Sequence, residues 1–275
     1  MSQDNNNPYA PPPAAAGANP YATPLANVAR EPHGLEMGEL IEGGQKVDAG
    51  RGAAWISEGF TVFMQSPGTW MGIVLVYMLL TILVSLVPFL GSLAIYLLMP
   101  VMTAGMMLGC RALEEGEPLD IGHLFAGFKE NVGQLVLIGL LYLAGVVVIV
   151  IGMVVIAGVG MAGAFSGGFG RGAGGAAAVG AMMILVLLAI GLSVPLMMAI
   201  WYAPALVVFH ELDAVNAMKQ SFSGCLKNLL PFLLYGVLMF FLSIIATLPI
   251  FLGWLVLGPV IIGGVYRSYQ DIYCA

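Results

Sequence analysis

Residues 170–175 read GRGAGG, a match to the G-x-G-x-x-G pattern that cradles the pyrophosphate of a dinucleotide. That chemistry requires a strand leading into the glycine turn, a helix amino terminus after it, and an acidic residue about 20 positions on to hold the ribose. Here an apolar segment precedes the motif, and the next acidic residue beyond Gly175 is Glu211. The motif also lies inside the low-complexity run FSGGFGRGAGGAAA, which reads as an outer turn between two helices. Neither a nucleotide nor any other cofactor is expected.

Metal donors occur in two places. His210-Glu211-Leu212-Asp213 is one, and Cys110 with Glu114, Glu115, Glu117, Asp120 and His123 is the other. Neither has the H-E-x-x-H spacing or another ligand set of known geometry, and a charge run just outside a helix is ordinarily a solvated loop. No metal is assigned. No G-x-S-x-G elbow presents a serine nucleophile, and no triad or carboxylate pair stands in for it. The chain is read as non-enzymatic.

Ion-coupled transporters keep Asp, Glu, His or Lys within the membrane, where a charge is costly and is retained for function. Over 70–108, 132–164, 176–209 and 229–265 tyrosine is the only ionisable residue type. The remaining polar opportunity is backbone. Pro100, Pro195 with Pro204, and Pro259 each free a carbonyl in an apolar helix, to be satisfied by a neighbour, a hydroxyl or water. Thr103 is a local candidate partner. Three kinked helices could line a cavity for an apolar or zwitterionic small molecule, or simply shape packing. Gly105-x-x-x-Gly109 lets helix backbones approach closely, within the bundle or in a homo-oligomer. Met106, Met107, Met197 and Met198 read as adaptable apolar filling.

The elements that must position these residues follow from composition. Of 275 residues, 60% are hydrophobic and 9% charged, and mean hydropathy is +0.95. Several apolar runs exceed the roughly 20 residues that cross a hydrocarbon core. The expected fold is all-α: a polytopic helical bundle with six transmembrane spans at about 70–87, 90–110, 132–164, 176–209, 229–248 and 250–269. Pro88-Phe89 and Pro249-Ile250 are so short that they imply tight hairpins. Residues 1–48, with the near copies NPYAPPP and NPYATPL, read as a disordered tail; residues 49–275 form the membrane domain. The first apolar run begins near Trp70, so no cleavable signal peptide is expected.

Residues 52–66 place Trp55, Ile56, Phe60, Phe63 and Met64 on one helical stripe, an interfacial helix packed on the bundle. Overlaying GFTVFMQSP, LFAGFKENV and SFSGCLKNL aligns Phe60, Phe125 and Phe222, then Phe63, Phe128 and Cys225, then Ser66, Asn131 and Asn228. The chain thus reads as three units, each a short amphipathic helix followed by a hairpin. Eight of the nine Lys and Arg residues fall on one side; Arg171 is the exception. The positive-inside rule puts both termini in the cytoplasm. Cys110, Cys225 and Cys274 form no C-x-x-C pair and read as reduced thiols. The net charge of −6 disfavours nucleic acid as a partner; membrane lipids are the expected one.

The stretches GRGAAWISEGFTVFMQSPGTW, PVMTAGMMLGCRALEEGEPLDIGHLF and AMKQSFSGCLKNLLP resemble a widespread group of uncharacterised bacterial inner-membrane proteins. The pattern is also similar to the membrane domain attached to some glycerophosphodiester phosphodiesterases. The resemblance spans about 50–269 and implies no activity, and no phosphodiesterase domain is expected here.

Overall fold

The computed structural model describes residues 38–88, 90–166 and 173–275, with side chains throughout except at 159–166, 173–178 and 181. The NPYA repeats and residues 170–172 of GRGAGG lie outside the described residues. Helices run α1 Arg51–Gln65, α2 Pro67–Ser85, α3 Leu90–Glu114, a 3-10 helix Ile121–Phe128, α4 Val132–Ser166, α5 Ala173–Trp201, α6 Ala203–His210, α7 Ala214–Lys227, α8 Leu229–Thr247 and α9 Trp254–Tyr273. The described residues hold no strand beyond an isolated antiparallel bridge, Leu40 to Cys274.

Five segments are long and apolar enough to cross a membrane: Pro67–Ser85, Leu90–Glu114, Val132–Gly158, Met182–His210 and Leu229–Thr247. The sixth expected span departs from this set. Helix α9 starts at Trp254 rather than at residue 250, because residues 248–253 form turns in which Ile250 and Phe251 adopt positive φ. Pro249 supplies no backbone donor to prolong α8. Gly253 then lets the chain fold back, since a Cβ there would lie 2.4 Å from Ala246 Cα. Gly91 plays the same part in the first hairpin, 2.0 Å from the Val84 carbonyl oxygen by the same measure.

At the three aligned junctions Ser66, Asn131 and Asn228 each leave the helical backbone, with different φ of −149°, +49° and −117°, and neither Ser66 nor Asn228 caps the next helix through its side chain. What precedes the second junction is a 3-10 helix rather than an α-helix. Asp120 accepts from Gly122 N, and His123 Nδ1 accepts from Asp120 N, a reciprocal cap that winds the segment tightly. In the first two segments the aligned phenylalanines form ring pairs, Phe60 with Phe63 at 6.1 Å and Phe125 with Phe128 at 6.4 Å.

Helix α1 packs chiefly on α9. A Cβ on Gly59 would stand 2.3 Å from the Val260 carbonyl oxygen, so the two backbones touch. Fully buried Trp55, Trp70, Tyr202, Tyr266, Tyr269 and Tyr273 make the core aromatic at this end of the bundle. By contrast α4 and α5 expose most of their large apolar side chains, Val148, Val154, Met182 and Leu187 among them. An apolar helix left bare on most sides is built for lipid rather than water.

Residues 39–47, expected within the tail, are held in place. Ile41 N donates to Tyr273 O at 2.9 Å and Gln45 N to Ile272 O at 2.8 Å. Gly43 and Gly44 turn the strand-like segment with φ of +72° and +67°, which glycine alone adopts without strain.

Candidate functional site

The fourth span breaks between Trp201 and Tyr202. Within an unbroken helix Tyr202 N would donate to Met198 O. Instead Tyr202 N donates to Ser221 Oγ at 2.9 Å, and Ser221 Oγ donates to Met198 O at 2.7 Å. A hydroxyl from α7 is thus inserted into the ladder of the neighbouring helix, one of the recognised causes of a kink. Pro204, at the start of α6, has no N–H with which to restore it. Tyr202 is anchored on the other side by its own hydroxyl, which donates to Ser268 Oγ at 2.6 Å.

The sequence-assigned positions lie on α3, α5, α6 and α9. Pro100, Pro204 and Pro259 are buried, Pro195 is exposed within a continuous α5, and Thr103 is half-buried. Gly105 and Gly109 face the 3-10 helix of the same chain. Their Cβ positions would meet the His123 carbonyl oxygen at 2.4 Å and Leu119 Cδ1 at 2.8 Å. That face is therefore covered from within.

Several acidic residues near the helix ends have structural partners, whereas His210 Nε2 is buried without a hydrogen-bond partner among the described residues. Glu114 accepts from Tyr266 Oη at 2.6 Å, Gln270 Nε2 at 2.7 Å and Arg267 Nη1 at 2.7 Å, which ties α3 to α9. Glu115 pairs with Arg111. Asp271 accepts from Trp55 Nε1 and Arg51 Nε, both at 2.6 Å, and pins α1 to α9. Asp213 caps α7 by accepting from Val215 N and Asn216 N. The Asn216 amide, foremost among these donors, holds its carboxyl below the usual range. Among the described residues no three His, Cys, Asp or Glu side chains gather as a metal set.

Asn228 joins the amino-terminal strap to the bundle. Its Oδ1 accepts from Val47 N and its Nδ2 donates to Gln45 O, both at 2.8 Å, and to Gly224 O at 2.9 Å. Lys227 Nζ adds a bond to Gly44 O. Neither Ser221 nor Asp271 stood out in the sequence. Ser221 lay in the repeated SFSGCLKN stretch, and its small polar side chain beside Gly224 was the only sign of a close approach.

Two clefts open between helices. Val194, Met197 and Trp201 face Phe232, Leu233 and Tyr235 across about 570 Å³, with Cys225 beneath. Ile56 and Phe60 face Phe241, Ile245 and Val260 across about 940 Å³. Both are walled almost wholly by apolar side chains, and Pro100, Pro195, Pro204 and Pro259 line neither.

Apolar spanning helices, a polar network confined to one end and apolar clefts between helices define a helical membrane protein. Over 212 residues, 75% of this chain and 77% of the relative, it is 31% identical to a probable inner membrane protein of Burkholderia thailandensis. The chain belongs to that protein's family. No protein-family model and no solved structure matches it, and the likeness to the membrane domain of glycerophosphodiester phosphodiesterases finds no support in these comparisons.

Proposed function

We propose that this protein is a non-enzymatic module of the bacterial inner membrane that engages lipid. It has six crossings in three amphipathic-helix-plus-hairpin units, and both termini are cytoplasmic. One observation carries the lipid reading. Helix α1 buries Trp55, Val62 and Phe63 yet leaves Phe60 and Met64 48% and 54% exposed, and the 3-10 helix leaves Ile121, Phe125 and Phe128 exposed. Helix α1 starts at the ion-paired end of the bundle, where Arg51 meets Asp271, and a bare apolar face on a helix that starts there suits the zone where headgroups meet acyl chains. The family relative's name agrees with an inner-membrane location.

The test is lipid retention. Purified protein in nanodiscs of phosphatidylethanolamine and phosphatidylglycerol, examined by native mass spectrometry, should hold lipid out of proportion to the bulk. The double variant Phe60→Glu, Phe125→Glu should lose that enrichment. Lipid retained only in bulk proportion overturns the reading. Orientation is tested separately: a protease site inserted beside Arg171 should be cut from the periplasm, and cleavage from the cytoplasm alone reverses the topology.

A further inference from the structure

Helices α5 and α8 meet edge to face at Trp201 and Phe232, ring centroids 6.2 Å apart and planes at 86°. Beside this contact lies the cleft of about 570 Å³, within the roughly 300–1,000 Å³ of typical small-molecule pockets. Its rim and its floor differ. Val194, Met197, Leu229 and Leu233 are exposed, Leu233 to 63%, on helix faces that also expose Leu187, Leu230 and Phe240; Tyr235 beneath is 5% exposed. The rim is therefore continuous with the bare apolar surface of the spanning helices, and an occupant enters sideways from the bilayer.

Two polar groups in the lining have no partner. Trp201 Nε1 and Tyr235 Oη are buried and make no hydrogen bond among the described residues, as is also true of Trp70 Nε1, His210 Nε2 and Tyr269 Oη, but of these five only Trp201 and Tyr235 line the cleft; Trp55 Nε1 and Trp254 Nε1 are paired. Buried donors without acceptors are rare and point to a missing ligand or water. Trp201 lies at the helix break, level with the carboxyl end of α7 and the amino end of α8, the depth at which tryptophan seeks the membrane interface. The acceptors available from a bilayer there are the ester carbonyls of its phospholipids. The 940 Å³ cleft provides the contrast: its hydroxyls, Ser57 and Thr61, already donate to Ala54 O and Ser57 O of their own helix.

From this we infer that the α5–α8 cleft seats one acyl chain of a bilayer phospholipid, with the Trp201 indole donating to its ester carbonyl. The inference rests on the lipid-engaging reading above and gives it a location. Gly236 supplies a clean perturbation, because it lines the cleft and nothing lies within 4 Å of a Cβ placed on it. Gly236→Phe fills the space without displacing a neighbour.

The experiment uses the full chain in nanodiscs of phosphatidylethanolamine and phosphatidylglycerol doped with a phosphatidylethanolamine carrying a diazirine on one acyl chain. After illumination, peptides covering Met197 to Trp201 and Phe232 to Met239 should carry about tenfold more label than the bare face of α4 around Val154. Gly236→Phe should bring the cleft signal down to the α4 level, while an unchanged melting temperature shows the variant folded. Trp201→Phe should weaken the signal without moving it. Cleft labelling no higher than that of α4, or undiminished in folded Gly236→Phe, overturns the site. So does stronger cleft labelling by a photoreactive free fatty acid than by the phospholipid. If lipid retention by native mass spectrometry persists in that event, the lipid-engaging module stands and only this seat is lost; if retention is also absent, both fall.

Discussion

The hydroxyl of Ser221 accepts the amide proton of Tyr202 at 2.9 Å from a different helix, in a place where the chain's own Met198 carbonyl would ordinarily stand. Because Ser221 returns its own proton to that carbonyl, one buried side chain satisfies both groups opened by the break. A break whose backbone groups are buried in the protein, as at Tyr202, is otherwise expensive, since such groups must find partners. The break in turn sets the depth of Trp201, and with it the geometry of the cleft.

Ser221→Ala should therefore destabilise the protein by about 1–3 kcal/mol, the cost of leaving buried backbone groups unpaired. Tyr202 cannot simply slide back into helix, being fixed through Ser268 and followed by Pro204. Thermal unfolding in detergent checks this, with Ser243→Ala as control: that exposed hydroxyl bonds only to Phe240 O of its own helix. Equal melting temperatures for the two variants would remove the wedge role.

The Gly59 contact leads to a second expectation. With Val260 O 2.3 Å and Gly264 N 2.6 Å from any added Cβ, Gly59→Ala must push α1 off α9, at a cost of about 1–3 kcal/mol. Gly152 on α4 has nothing within 4 Å of the same position. Gly152→Ala should be neutral or stabilising by up to about 1 kcal/mol, because alanine loses less backbone entropy in a helix. Paired melting curves decide; a destabilising Gly152→Ala would mean its face is covered by something outside the chain.

What was legible in the sequence follows from which forces are local. Length and apolarity placed α2, α3, α4 and α8 within a few residues, since each such run has one physical solution in a membrane. The α1 stripe was readable only in part: Trp55 and Phe63 are buried, but Phe60 and Met64 of the same stripe are exposed. Residues 39–47 were not readable. Their text, ELIEGGQKV, is polar and glycine-bearing, and what orders it lies some 180 residues or more away in Asn228 and Tyr273. The late start of α9 and the 3-10 winding of 121–128 likewise depend on turn and cap geometry that periodicity does not encode. Of the prolines noted as kink sites, Pro204 stands just beyond the break and Pro195 lies in an unbroken α5; the serine of another helix that completes the break gave no such sign.

Asn228 is the single residue on which the strap's attachment most depends. Asn228→Asp removes both donated bonds, to Gln45 O and Gly224 O, while keeping the acceptor for Val47 N. Amide exchange at Ile41, Gln45 and Val47 should accelerate about tenfold, the effect of ~1.4 kcal/mol, with α3 amides unchanged. Lys227→Ala, which loses only the bond to Gly44 O, should produce a smaller change at the same sites. Exchange that is uniform across the protein in Asn228→Asp would indicate global loosening rather than local release.

Asp213 sets an acid limit on α7. Its carboxylate accepts from Asn216 N at 3.0 Å, Val215 N at 3.1 Å and Asn216 Nδ2 at 2.6 Å, and these donors favour the charged form. The Asn216 amide is the largest influence, and the folded-state value lies below that of a free carboxyl. The sign follows: a carboxyl depressed on folding stabilises the fold above its unfolded value of about 3.9, and that contribution disappears as pH falls through the lower, folded value. The Asn216 amide NMR shift should therefore titrate with a midpoint below about 3.9, and α7 should remain capped throughout the neutral range. Asp213→Asn keeps an acceptor oxygen for the cap and should abolish the titration with little loss of helix, whereas Asp213→Ala should fray the first turn at every pH. A midpoint at or above that of a free aspartate would show that the cap does not favour the ionised carboxyl.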